Sequence, residues 1–385
     1  DAPSQIQEGW IWELAITAKN AKSLNFNFDT YVLPEGAQLT LYDKSNPSDF
    51  LGPFTSFNNK TDGKFSTFLL FTDTVVLRYF VPKYAKDSGR LKLGSVVYGY
   101  REFPSGPSIF GESGSCNVNV ACPEGNTWRN QIRSVVMILA ANNSRICSGT
   151  LVNNTSEDGT PYVLTANHCP IASNNVFVFN YDSPTCSPPT EGPTNFTISG
   201  CSIKANNSSF AASDFKLLEL SSKPPSSFDV YYAGWSNVNA PPRSSACIHH
   251  PKGDVKKISV DYDRATHSGY YSRGSTYWRI EKWDKGTTEN ASSGGGLFNH
   301  QKRIIGQLHG GEASCSVDSM DFFGKFSYSW DTEADSLSQL KYWLDPTNSG
   351  SNIVDGMDPG AALVSLDAQI TGITGIDVYQ CGDSA

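Results

Sequence analysis

Leu164-Thr165-Ala166-Asn167-His168-Cys169 carries an apolar, strand-like run into a histidine beside a cysteine. Alone, such a histidine is more often structural than chemical. Two later stretches change its reading. Ala212-Ser213-Asp214-Phe215-Lys216-Leu217-Leu218-Glu219-Leu220 sets an aspartate in front of a second apolar strand, and Asn290-Ala291-Ser292-Ser293-Gly294-Gly295-Gly296-Leu297 sets a serine in a small-residue turn entering a third. Acyl transfer by a hydroxyl needs an imidazole to take its proton, a carboxylate to hold that imidazole's tautomer, and a tight turn whose amides meet the oxyanion. His168, Asp214 and Ser293 supply these parts in that chain order.

The surrounding text is all-β. Between residues 116 and 355 short apolar runs recur at 135–140, 149–152, 162–164, 176–179, 215–220, 258–262, 304–309 and 326–330, punctuated by Gly, Pro and Asn, which predicts closed β-barrels. Leu337, Leu340, Trp343 and Leu344 then fall at helical spacing, with Asp335 or Ser336 as cap and Pro346 beyond, which predicts a C-terminal helix. Upstream, strand-like runs at 10–16, 38–42, 68–71, 75–80 and 91–98 alternate with turns such as Pro34-Glu35-Gly36, the pattern of an antiparallel β-sandwich. Phe103-Pro104-Ser105-Gly106-Pro107-Ser108 separates the two parts. The expected domains are a sandwich at 1–104, a linker at 105–115, a barrel domain at 116–356, and at 357–385 a linker with the start of a further β domain.

The balance of 38 acidic against 30 basic residues, with no Lys/Arg cluster, disfavours nucleic acid as a partner. No apolar run is long enough to span a membrane. Nine cysteines, all from Cys116 onward, and Asn-x-Ser/Thr sequons point to secretion, with Asn59, Asn142, Asn195 and Asn207 the candidate glycosylation sites. No CxxC pair occurs, so disulfides rather than a zinc site account for the cysteines, and the odd count leaves at least one without an internal partner.

The motifs Ser113-Gly114-Ser115-Cys116-Asn117, Cys122-Pro123-Glu124-Gly125, Leu151-Val152-Asn153-Asn154-Thr155, Ile248-His249-His250-Pro251 and Gly306-Gln307-Leu308-His309-Gly310-Gly311, with the His168 and Asp214 stretches, occur in one order. In them the region from about 111 to 355 resembles the secreted lysyl endopeptidase family of chymotrypsin-fold serine proteases, and the first ~104 residues resemble a β-sandwich propeptide. The resemblance implies a chymotrypsin-like double β-barrel and disulfides Cys116–Cys315, Cys122–Cys186 and Cys147–Cys169. Cys201 and Cys247 are the expected extra pair, with Cys381 left over.

It further implies His168 as general base, Asp214 as its orienter, Ser293 as nucleophile, and the amides of Ala291 and Ser293 as oxyanion hole. Asp321 is expected at the base of the pocket for a substrate lysine, with Asp318 as fallback, and His309 beside it stacked on an aromatic, here Tyr270. Ala291 stands where the family has glycine, and Gly296 where it has proline. The expected activity is a secreted endopeptidase cleaving polypeptides after Lys, or Arg, with no metal or organic cofactor. The rival is a weak or silent protease-fold module with an extracellular binding or structural role, in contact with other molecules through the C-terminal tail. Ser292, not aspartate, precedes the nucleophile, so the usual ion pair with a freed N-terminus is unavailable. No Lys or Arg lies between Arg101 and Cys116, so self-cleavage there has no basic residue to use and the N-terminal domain is expected to stay attached.

Overall fold

The computed structural model describes residues 4–6, 8–99, 113–207, 212–332 and 335–359. Most of the expected linker, and the tail from residue 360 with Cys381, lie outside the described residues.

The N-terminal part is a two-sheet sandwich. One sheet orders the strands Ser4–Ile6, Gly9–Thr17, Thr74–Pro82, Gln38–Asp43 and Phe50–Phe54; the other orders Phe65–Ser66, Ser23–Val32 and Arg90–Gly99. Phe26, Phe28, Leu39, Leu41 and Leu77 fill the space between them. The 68–71 run is not a strand; Leu70 makes only an isolated bridge to Leu24.

Two curled antiparallel sheets follow, giving the chymotrypsin-like double barrel. The first orders Thr197–Ser199, Val176–Val178, Val135–Leu139, Arg145–Val152, Tyr162–Ala166, Phe215–Leu220 and Cys201–Asn206. Its two edge strands are consecutive in the chain, parted only by Gly200 at φ +97°, so the sheet returns on itself at a residue only glycine accommodates freely. The second sheet has ten strands, among them Ser245–His249, Lys257–Asp261, Ser272–Ile280, Gly296–Asn299, Ile304–Gly311 and Asp321–Lys325.

Sandwich and first barrel share one apolar cluster. Met137, Leu139, Val176, Val178, Tyr181 and Val255 join the sandwich side chains in it. Polar contacts cross the same seam: Asn25 Nδ2 donates to Ala141 O at 2.9 Å, Asn174 Nδ2 to Ser66 Oγ at 3.0 Å, Ser199 Oγ to Ser66 O at 2.5 Å, and Lys60 Nζ to Ser173 O at 2.9 Å. The barrel therefore covers the part of the three-stranded sheet around Asn25, Ser66 and Thr67, which are fully buried, while the strand Arg90–Gly99 has no buried residue.

Two expectations near the C-terminal end, one strand and one helix, are corrected. The 326–330 run is an α-helix, Phe326–Asp331, not a strand, because Phe326 and Trp330, one turn apart, both pack on Trp235 in the second barrel's core. The expected helix over 337–344 is broken. Asp335 does cap a 3-10 turn at Ser336–Ser338, but Gln339 is extended and only Lys341–Leu344 is α-helical. Leu340 and Leu344 are buried while Leu337 is exposed, so the apolar stripe is half as long as its spacing suggests.

The bonds Cys116–Cys315, Cys122–Cys186 and Cys147–Cys169 are present. The Cys201–Cys247 pair is not: both are buried free thiols, one on each barrel. Burial pushes the Cys201 thiol up to about 12 and that of Cys247 well above its ordinary value, so neither is a ready thiolate.

Candidate active site

The site lies where the barrels meet, and sheet register builds its first half. Ala166 pairs with Phe215 across antiparallel strands, so the residues just beyond, 167–168 and 214, must face each other. Asn167 N donates to Asp214 O at 2.7 Å. His168 N donates to Asp214 Oδ1 at 3.0 Å, and His168 Nδ1 lies 2.7 Å from Asp214 Oδ2. One carboxylate thus holds both the backbone and the ring of His168, fixing Nδ1 as donor and leaving Nε2 as acceptor. Asp214 sits at φ +54°, in the left-handed region that Asp tolerates better than most residues. Its side chain is largely buried and that of His168 is 41% exposed. The Cys147–Cys169 bridge closes the loop next to His168.

The second barrel supplies Ser293. Its turn is pressed against the histidine strand: a Cβ on Gly294 would stand 2.2 Å from Thr165 Oγ1 and 2.3 Å from Ser148 O, and Gly294 lies at φ +82°. No other residue fits there. Ser148 N donates to Ser293 O at 2.8 Å, and Ser148 Oγ donates to Ala291 O at 3.0 Å, tying the turn to the first barrel. Ser293 Oγ donates to His309 O at 3.4 Å, and the His168 and His309 rings stack at 5.2 Å. Among the described residues Ser293 makes no hydrogen bond to His168; such bonds are often open in resting sites and close around substrate. The amides of Ala291 and Ser293 donate to nothing among the described residues, as an oxyanion hole requires.

Ala291 adopts φ +68°, the conformation that suits the glycine it replaces. A left-handed non-glycine residue costs about 1–2 kcal/mol, partly offset by the extra freedom glycine gives the unfolded chain. Ala291→Gly is therefore expected to stabilise the fold by about 0.5–1 kcal/mol, read as a higher urea midpoint at unchanged slope. A lower midpoint would show that the alanine is unstrained.

Asp321 opens its strand fully buried, its Oδ2 accepting from Trp283 Nε1 and Thr288 Oγ1, each at 2.7 Å. Its Oδ1 has no partner, and burial pushes the carboxyl group above the usual range. A Cβ on Gly311 would stand 2.3 Å from that Oδ1, while a Cβ on Gly310 would meet nothing within 4 Å. The absent side chain at 311 thus leaves the unsatisfied oxygen unobstructed on that side, although it is itself fully buried. Asp318 is exposed. Tyr270 stacks on His309 at 3.8 Å and 5°.

Sequence reasoning did not single out Tyr277, whose hydroxyl is 2.9 Å from His309 Nδ1, nor Trp283 and Thr288, which hold Asp321. Each is one residue in an otherwise ordinary strand or loop, and only the fold reveals its partner. Among the described residues three groups bring three potential ligand atoms together, but in the first, Cys147, His168 and Cys169, both sulfurs are spent in a disulfide. His168, Asp214 and His309 are already engaged with one another, and Asp261, Asp263 and Asp284 cluster elsewhere on the second barrel, with burial pushing Asp261 up to about 6. No helix among the described residues is long and apolar enough to cross a membrane.

The chain is 31% identical over 244 residues to a lysyl endopeptidase of Pseudomonas aeruginosa, an alignment covering 57% of this chain and 50% of the relative. The chain thus spans about half the length of that relative. Among solved structures, an inactive form of Rv3671c from M. tuberculosis is 13% identical, with a TM-score of 0.35 over 56% of this chain and 92% of the other. The MamO protease domain from Magnetospirillum magneticum is 11% identical, with a TM-score of 0.34 over 51% and 94%. Scores this low bear no weight for fold or function. The sequence model of the lysyl endopeptidase C-terminal domain matches residues 110–324, more than half of the chain and all of the site described above, and the chain belongs to that family.

Proposed function

We propose that this protein is a secreted serine endopeptidase that cleaves polypeptides after lysine through an acyl-enzyme on Ser293. The observation that carries the reading is the 2.7 Å His168–Asp214 bond facing a Ser293 turn with two uncommitted amides. Ser293 Oγ attacks the scissile carbonyl as His168 Nε2 accepts its proton. Asp214 stabilises the imidazolium without taking the proton, and the Ala291 and Ser293 N–H groups hold the oxyanion. Collapse breaks the C–N bond, His168 protonates the leaving amine, and water repeats the sequence to release the acid.

Lysine specificity is supported by the buried, unpartnered Asp321 Oδ1, which a substrate ammonium would satisfy and a neutral side chain would leave unpaired. Arginine, with the same charge, is the next substrate to test. Secretion is supported by the disulfides. Retention of the sandwich is supported by the cluster it shares with the first barrel, and His168 stays accessible with the sandwich in place. The candidate glycosylation sites differ in access: Asn142 and Asn195 are exposed, Asn207 is partly exposed, and Asn59 Nδ2 already donates to Leu33 O at 2.8 Å.

The silent-module reading rests on Ala291 at φ +68° and on Ser293 Oγ turned to His309 O rather than to His168. Comparing hydrolysis of a Lys ester and a Leu ester by the purified chain separates the two. Turnover of the Lys ester at a rate well above the Leu ester is expected; no turnover of either favours the silent module.

A further inference from the structure

Ser292, the residue in front of the nucleophile, is fully buried and sits in a chain of neutral hydrogen bonds. Ser292 Oγ lies 2.7 Å from His249 Nδ1 and accepts from Glu289 N at 3.1 Å. His249 Nε2 lies 3.1 Å from Ser259 Oγ, and Ser259 Oγ donates to Thr287 O at 2.7 Å.

With the His249 ring neutral, counting protons fixes every direction. Ser259 has one hydroxyl hydrogen and spends it on Thr287 O, so it must accept from His249 Nε2–H. His249 is then the neutral Nε2–H tautomer with Nδ1 an acceptor, and Ser292 Oγ–H donates to it. Burial, helped by nearby Lys257, lowers the His249 pKa to about 3, consistent with a neutral ring at ordinary pH. The relay ties residues 287, 289 and 292, which lead into the nucleophile, to the strands Ser245–His249 and Lys257–Asp261. His249 also backs the other side of the turn, since a Cβ on Gly295 would stand 2.8 Å from its Cβ.

The nearby carboxylates are meanwhile occupied by the continuous chain. Glu289 Oε2 accepts from Gly114 N and Asn117 Nδ2 at 2.8 Å each, and Glu289 Oε1 pairs with Lys252 Nζ at 2.9 Å. Asp254 Oδ2 accepts from Ser113 N and Ser113 Oγ at 2.9 and 2.7 Å.

We propose that this relay, with His249, Ser259 and Ser292 as positioning residues, holds the nucleophile turn in its working form without a freed N-terminus, so that the uncut chain is competent. The proposal rests on the assignment of Ser293 as nucleophile.

It is tested on the full chain by the rate of fluorophosphonate labelling and by kcat and KM for a Lys ester. His249→Phe keeps a ring but orphans the Ser292 hydroxyl, and is expected to lower labelling and kcat roughly 10–100-fold with KM within about threefold. Ser259→Ala removes only the acceptor for Nε2–H and should cost roughly 3–10-fold. Adding Ser292→Ala to His249→Phe should cost nothing further, because both act through one bond. Should His249→Phe not fold, Ser259→Ala and Ser292→Ala carry the test alone. Cutting the chain between Arg101 and Gly111 should leave the wild-type labelling rate unchanged. Wild-type rates in the Ser259 and Ser292 variants, or labelling only after the cut, would overturn the relay. Absence of labelling in both cut and uncut wild-type chains would instead overturn the assignment of Ser293.

Discussion

Ser293→Ala is expected to abolish fluorophosphonate labelling and to lower kcat for a Lys ester on the order of 10⁶-fold. His168→Ala should cost as much, and the double variant no more than either single one, because nucleophile and base act as a unit. Asp214→Asn should cost on the order of 10⁴-fold. The structure gives the reason: Asp214 accepts from both His168 N and His168 Nδ1, and an amide nitrogen facing Nδ1 would favour the wrong tautomer. Persistence of ordinary turnover in purified Ser293→Ala would sink the acyl-enzyme reading and send the search for a nucleophile elsewhere.

Asp321→Asn should erase most of the preference for Lys over neutral esters, a change of about 10²–10³-fold in the ratio of kcat/KM. An ammonium buried beside a neutral amide loses about 3–5 kcal/mol of pairing. The two donors already on Oδ2 would find the amide oxygen in its place and keep the substituted side chain well ordered, so the loss should appear in specificity more than in folding. A pH series gives a second view. Burial raises the pKa of Asp321, so as pH falls through that elevated value the carboxyl group becomes neutral and the wild-type Lys preference should fade. The amide variant should show no such fading, having no charge to lose. If Asp321→Asn leaves the preference intact while Asp318→Asn removes it, the pocket has been assigned to the wrong carboxylate.

The parts of the site that could be read from sequence are those whose chemistry is written locally. A histidine ending an apolar strand, an aspartate opening another and a serine among glycines each announce themselves within eight residues. What resisted reading depends on partners far along the chain. Phe326, Tyr328 and Trp330 alternate as a strand would, yet the segment coils because Trp235, nearly a hundred residues earlier, offers an aromatic surface for two side chains one helical turn apart. The strand Ser23–Val32 was hidden by its asparagines, since Asn25 is buried only because Ala141 of the barrel provides an acceptor. Cys201 and Cys247 invite pairing by arithmetic, but the fold places one on each barrel.

The seam between sandwich and barrel bears on how the chain can be divided. A cut near residue 104 falls between two covalent segments, but the cluster around Met137, Leu139, Val176 and Val178 crosses that line. Parting the halves would wet apolar side chains on both and strip Asn25, Ser66 and Ser199 of their partners, and each of these costs weighs against separation. Sandwich and barrel are accordingly expected to unfold together. A chimera that keeps this barrel and borrows another sandwich must also borrow the complementary face, or inherit a sticky surface where Val176 and Val178 now lie covered.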